Sequence, residues 1–371
     1  MNKTKIIENG VYSEDGRTLV GFIGNPEELV IVPGTFRIAR EACSYCKTLK
    51  RVVIPPSLEF MNANCFKYCT SLSEVVFMRG SKLRFIENEV FLGCSSLQEI
   101  ILPDSLLGIG HHAFHGCDLQ SIRIPALVDE IGPYCFSMNK NLRRVVFDVD
   151  SELQYSQNGW FCNCDLSDSI VWPKTIKNFS KNICSNTHLR SLDVPNTVVS
   201  FDMDAFMGCS DLIFVNIAKK SQLKTISSYC FSDCNLLEHI ELPEGLNYIE
   251  EFAFRNSGLI SVTIPSSVKV LGMDCFNRCY ALKEVAITIG SQLDCVGPFC
   301  WSECPSLRTF ICEQKTFELL PVNLREFLEK KGVYISGNEE EEIVPLCSNI
   351  ESDMDQLEKE LFGDLIDTTA A

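Results

Sequence analysis

Cysteine and histidine are the residue types here whose number and spacing could do chemistry. The chain holds 20 cysteines among 371 residues. Cys43-x-x-Cys46 and the C-x-x-x-C pairs Cys65/Cys69, Cys230/Cys234, Cys275/Cys279 and Cys300/Cys304 have spacings at which thiolates ligate zinc. A structural zinc site, however, needs four ligands converging tetrahedrally. His111, His112 and His115 form H-H-x-x-H just before Cys117, a second metal-like spacing, while His188 and His239 are far apart and have no nucleophile partner. No P-loop, G-x-G-x-x-G, G-x-S-x-G or H-E-x-x-H occurs. Whether the thiols and imidazoles form sites depends on the elements that place them.

Those elements repeat. An aromatic slot falls at Phe66, Phe91, Phe114, Phe136, Phe161, Cys184, Phe206, Phe231, Phe254, Phe276 and Trp301, with an earlier unit around Cys43, so the units number about twelve at 22–25 residues each. Phe91, Phe161, Phe231 and Trp301 are 70 apart, as are Pro33, Pro103, Pro173 and Pro243. The array therefore reads as four modules of three repeats. Within a unit, L-x-x-[VI]-x-[IVLF], as in Leu97/Ile100/Leu102 and Leu259/Val262/Ile264, puts three apolar side chains on one side of a short strand. A proline after the strand ends the ladder without stranding a donor. One unit cannot bury its apolar face alone, whereas stacked units share one core. The pattern predicts a repeat solenoid with a parallel sheet of about twelve strands.

In that register 16 of the 20 cysteines occupy repeat slots. Nine stand three after the aromatic, where Asn139, Thr187 and Ser257 replace them in other units; five precede it; Cys43 and Cys184 fill the aromatic slot itself. Small groups able to hydrogen-bond suit a side chain that satisfies backbone at a tight turn. A line of stacked thiols does not converge on a metal. His112 and His115 flank the apolar Ala113-Phe114 and so read as turn residues. The expectation is no metal, no cofactor and no enzyme activity. Cys162, Cys295, Cys312 and Cys347 fall outside the scheme.

Ile264-Pro265-Ser266-Ser267-Val268 through Cys275-Phe276-Asn277-Arg278-Cys279 to Leu282 resembles the BspA-like leucine-rich repeats of bacterial and trichomonad proteins, across residues 33–312. The resemblance implies a curved leucine-rich repeat solenoid with its strands on the concave side. It also implies a binding role, often adhesive.

The ends differ from the array. Residues 1–30 read as an N-terminal cap, with Val11 to Val20 a hairpin around Gly16, and 31–312 as the solenoid. Residues 313–335 read as a C-terminal cap, with Phe317 to Lys331 a short helix closed by Gly332. Residues 336–371 read as an acidic linker and an amphipathic helix with Ile350, Met354, Leu357, Leu361 and Leu365 on one stripe. Residues 339–371 hold eleven acids and one lysine, so most of the net charge of −16 lies there. Such a charge opposes nucleic acid and anionic membrane as general partners. The N-terminal residues lack an apolar secretory core and no run approaches a membrane span, so the reading is cytoplasmic, with the cell surface as the alternative that the resemblance supplies.

Function is expected where units differ, on the solvent side of the strands. Positions one, two and four after the first leucine face outward. They give a β-branched stripe at Val53, Val76, Ile101 and Val146, basic residues Arg123, Arg143, Arg144 and Arg190, and then Phe214 and His239. Exposed apolar stripes and arginines are what interfaces enrich. The expected role is a non-enzymatic scaffold that binds a protein partner on this face through an acidic segment lying across Arg123 to Arg190. The acidic tail could itself gate that patch.

Overall fold

A computed structural model describes residues 4–332 and 334–336. The chain opens with three antiparallel strands, β1 (Thr4–Ile7), β2 (Gly10–Ser13) and β3 (Thr18–Phe22). Between β2 and β3 lies the expected turn: Gly16 has φ +76° and its N–H donates to Ser13 O at 2.8 Å. β3 then pairs in parallel with Arg37–Ile38, so this cap passes its edge directly to the repeats.

Each repeat contributes up to two parallel strands. One ladder is built of two-residue strands, from Arg37–Ile38 to Glu130–Ile131 and again from Asn178–Phe179 to Cys295–Val296. The other is built mostly of four-residue strands such as Arg51–Ile54, Ser121–Ile124 and Ser261–Ile264. Counting the segment around Leu97–Leu102, which forms no strand, this second ladder has thirteen rungs from Glu28–Val30 to Thr309–Cys312, one more than the aromatic count gave.

This ladder is not the single continuous sheet that the repeat predicted. It breaks before Ser121–Ile124, between Ser169–Val171 and Ser191–Val194, and between His239–Ile240 and Ser261–Ile264. The second and third breaks fall at the 22-residue step of a module, the shortest of the three, and the first spans that step together with the 25-residue step before it, because the Leu97–Leu102 segment pairs with neither neighbour. At the 22-residue step the segment from the aromatic turn to the strand is one residue shorter, and scattered bonds such as Gln120 N–H to Gln98 O (3.0 Å), Asp118 N–H to Leu97 O (3.2 Å) and Ile260 N–H to Glu238 O (3.0 Å) replace the ladder. The 70-residue period of the sequence thus reappears as a period of sheet breaks.

Opposite the strands the chain turns tightly around the aromatic slot, with left-handed residues two before and two after it. Asn64 (φ 63°) and Tyr68 (φ 54°) flank Phe66, and Asn182 (φ 57°) and Asn186 (φ 54°) flank Cys184. Left-handed backbone is costly for most L-residues. Here it aims N–H groups along the stack: Asn64, Phe66 and Tyr68 donate to Asn88, Val90 and Leu92 carbonyls at 3.0, 3.0 and 2.7 Å. Those inter-repeat bonds hold the conformation in place.

The slot rings stack inside. Phe66, Phe91, Phe114, Phe136 and Phe161 are spaced 5.2–5.7 Å centroid to centroid, and Phe206, Phe231, Phe254, Phe276 and Trp301 5.2–5.8 Å. At Cys184 the column has a gap. Aromatic contact detours around it, from Phe161 to Trp172 (6.1 Å), Phe179 (4.7 Å) and Phe206 (5.4 Å).

After the last repeat come two helices, α1 (Gln314–Leu319) and α2 (Val322–Lys331), where the sequence predicted one. Pro321 divides them, because a residue before proline is pushed out of the helical region, and Leu320 is indeed extended (φ −65°, ψ 145°). Gly332 closes α2 with φ 64°, and Tyr334–Ser336 adds a parallel strand to Thr309–Cys312. Of the acidic linker and amphipathic helix expected over residues 336–371, Ser336 falls in this strand and residues 337–371 lie outside the described residues.

Candidate partner-binding face

Strand alternation decides which side chains reach solvent. In Arg51–Ile54, Val52 and Ile54 are buried while Arg51 and Val53 point outward. In Ser121–Ile124, Ile122 and Ile124 are buried and Ser121 and Arg123 are exposed. The ladder aligns equivalent positions: Val53 with Val76, Arg123 with Val146, and Val146 with Val171. Val53, Val76 and Val146 are half-buried, and Ile101 is 75% exposed on the unpaired segment. Val171, 48% exposed, belongs to the same row. Sequence reasoning missed it because that repeat carries Leu166 one position early, which hides the strand register. A hollow of about 660 Å³ opens beside the break, lined among others by Val76, Met78, Ile101, Asp104 and Arg123.

The arginines require a correction. Arg123 is held by Asp104 (2.9 Å) and by both oxygens of Asp148 (2.8 and 2.6 Å). The hydrogen bond to Asp104, more than its other contacts, pushes the guanidinium pKa up. Arg143 pairs with Asp165 at 3.3 Å, and Arg51 lies between Glu28 and Glu74. These ladder carboxylates stand in adjacent rungs, so the expected four-arginine cluster is half neutralised from within. Arg144 and Arg190 are exposed and make no ion pair among the described residues. Farther along, Phe214 and His239 are register partners and half-buried, and His239 Nδ1 is buried without a hydrogen-bond partner.

The cysteines act on the backbone. In eight repeats the thiol three after the aromatic donates to the aromatic-slot carbonyl one repeat back, as in Cys69 Sγ to Cys43 O (3.0 Å), Cys94 to Phe66 O (3.1 Å) and Cys304 to Phe276 O (3.2 Å). Asn139 does the same at Phe114 O (2.8 Å), which accounts for the exchange of cysteine with asparagine in this slot. Burial pushes most of these thiols up, Cys69 to about 12 and Cys209 to about 11, so they stay protonated, whereas the hydrogen bond with Cys304 pulls Cys279 down and pushes Cys304 up. No group of three or more metal-ligating side chains occurs among the described residues. His111 and His112 face each other through Nδ1 at 3.1 Å, and His115 Nδ1 lies 2.7 Å from Ser137 Oγ. Of the cysteines outside the scheme, Cys162 is half-buried beside Ser185 Oγ (3.1 Å), Cys295 is exposed, Cys312 is buried, and Cys347 lies outside the described residues.

Comparison with known proteins adds the following. The family model described as "BspA type Leucine rich repeat region" matches in overlapping stretches at residues 25–143, 84–213 and 211–321. No curated protein matches the chain. Among solved structures, a leucine-rich repeat protein from Bacteroides ovatus is similar at 19% identity and a TM-score of 0.55, covering 91% of this chain and 98% of its own. A leucine-rich cell surface protein from Faecalibacterium prausnitzii is similar at 17% identity and a TM-score of 0.51, with 91% and 96% covered. At these identities the likeness is one of fold. No helix among the described residues is long and apolar enough to cross a membrane.

Proposed function

We propose a function from one premise: this chain belongs to the BspA-type leucine-rich repeat family. It is a non-enzymatic interaction scaffold that docks a protein partner on the outward face of the four-residue strands. The observation that carries this is the β-branched row from Val53 to Val171, with Ile101 open to solvent beside a 660 Å³ hollow. Side chains turned outward at aligned positions of successive repeats form a surface that no element of the described chain covers. An apolar centre rimmed by ion pairs is the composition of a protein interface. The polar share of recognition falls to Arg144 and Arg190, which have charge to offer an acidic segment, rather than to Arg123 and Arg143.

The test is retention of the native partner by purified chain carrying Val76→Glu with Ile101→Glu, and separately Arg144→Glu with Arg190→Glu. Loss of the partner in the first pair with an unchanged melting temperature supports the face, and loss in the second supports an acidic partner. Full retention in both overturns the reading. The first reading places the partner in the cytoplasm. A second reading, adhesion at a cell surface, draws on the description of the Faecalibacterium neighbour as a cell surface protein. Antibody staining of unpermeabilised cells separates the two: a surface signal favours adhesion, and its absence refutes it.

A further inference from the structure

The two-residue ladder carries a site of its own. Along its solvent side Phe36, Phe60 and Phe85 form a row, with centroids 5.3 Å apart edge-on and then 6.0 Å apart in a stack tilted by 12°. In the next rung the slot of Phe60 and Phe85 is filled by Gly108, and the row ends there. Phe85 leans over that glycine, since a Cβ on Gly108 would meet its ring at 3.1 Å. Two further glycines, Gly110 and Gly132, complete a floor without side chains. Each is required by close backbone approach, because a Cβ would fall 2.5 Å from Asn88 N or 2.4 Å from His111 N. The result is a hollow of about 400 Å³ with Phe85 as its wall.

Its rim is polar and partly pre-oriented. Asn88 Oδ1 accepts the His111 N–H at 3.0 Å, which leaves the Asn88 amide NH₂ as a donor. His111 Nδ1 is engaged with His112 Nδ1 at 3.1 Å, so its Nε2 is the ring nitrogen left for a ligand. Glu130 and Gln157 complete the rim, and Glu130 is exposed. The lining holds two carboxylates, Glu87 and Glu130, and Arg84 stands beside it with its guanidinium 6.0 Å from the Phe85 ring centroid.

We propose that this hollow binds a neutral saccharide, with one pyranose ring stacked on Phe85 and its hydroxyls bonded to Asn88, His111 and Glu130. A pyranose presents a C–H-rich face that packs on an aromatic ring and an edge of hydroxyls that both donate and accept. The site offers that combination: an aromatic wall, an amide donor, an imidazole nitrogen and carboxylate acceptors. The two carboxylates outnumber the guanidinium of Arg84, so the rim is net negative and disfavours phosphate, sulfate and uronate, which selects a neutral ligand over a nucleotide or an anionic glycan. The glycine floor gives the ring room that the phenylalanine side chains deny it in the two preceding rungs.

The experiment is a glycan array carrying neutral and anionic glycans, probed with the full chain, followed by titration of the best neutral oligosaccharide. Glu130→Ala alters an exposed side chain and leaves the fold intact; it should weaken that binding at least tenfold with an unchanged melting temperature. Phe85→Leu should weaken it by a similar factor. Retention of no neutral glycan, retention of anionic glycans alone, or unchanged affinity in Glu130→Ala overturns the proposal. Glu130 lies on the other ladder from Val76 and Ile101, so partner retention on the four-residue strand face should be untouched, and the two readings fail separately.

Discussion

Raising the pH alone should unfold this protein, and the thiol column sets where. Fourteen cysteines have a pKa raised in the folded chain, among them Cys69 and Cys312 to about 12 and Cys209 to about 11. Burial is the first cause in all but Cys304, where the contact with Cys279 leads. An unfolded thiol titrates near 8.5, so the unfolded chain releases protons that the folded chain keeps. A raised folded pKa therefore gives stability that is complete below about pH 8.5 and is lost as the pH climbs toward the folded values. Each such thiol removes about 0.8 kcal/mol at pH 9 and about 1.4 kcal/mol at pH 9.5. Cys279, pulled down by its hydrogen bond with Cys304, offsets Cys304, and over the other thirteen thiols the loss reaches about 10 and then about 18 kcal/mol, against the roughly 5–15 kcal/mol by which native domains are stable. Cooperative unfolding is expected between about pH 9 and 9.5. Far-UV circular dichroism and thiolate absorbance would be followed together with a phosphine reductant present. Cys94→Ser with Cys234→Ser should move the midpoint upward. A native spectrum persisting at about pH 10.5, or unfolding that runs ahead of thiolate formation, would refute the reasoning.

Three further outcomes follow from the same packing. Cys184→Phe, which restores the repeat consensus, should destabilise by about 1–3 kcal/mol, because Trp172 and Phe179 already fill the gap in the ring column. Denaturant titration should show Phe179→Ala costing about 3–5 kcal/mol alone and less in the Cys184→Phe background; additivity would sink the idea. Gly93→Ala should cost about 1–3 kcal/mol, since Gly93 has φ +70° and a Cβ there would lie 2.4 Å from Tyr68 Cδ1. Adding Tyr68→Ala should recover the steric share and leave the backbone share, as read by thermal melts. Brief alkylation of native protein at neutral pH should label Cys295 ahead of every other described cysteine, since it alone is exposed, and peptide mapping showing Cys94 or Cys234 labelled as fast would contradict the burial of the column.

What the sequence reveals and what it hides follow from the same repetition. Features written in every unit are legible: the ring slot, the thiol slot with its exchange for Asn139, and the alternation that turns Val53 and Val76 outward all recur often enough to fix their meaning. Features made between units are not. Arg123 looked like free positive charge because its acids, Asp104 and Asp148, lie 19 and 25 residues away, and only the stacking distance brings them beside it. Val171 escaped because Leu166 shifts one repeat by a residue, and a one-residue slip reassigns every side chain to the opposite face. The hollow at Phe85 is invisible for the opposite reason. It depends on the side chain that Gly108 lacks, and a missing side chain becomes a site only once the neighbouring rungs show which ring stands next to the gap. In a solenoid the shared slots therefore specify the scaffold, and the places where a binding site can be built are the breaks in register: the unpaired Leu97–Leu102 segment on one ladder, and the glycine floor that follows Phe85 on the other.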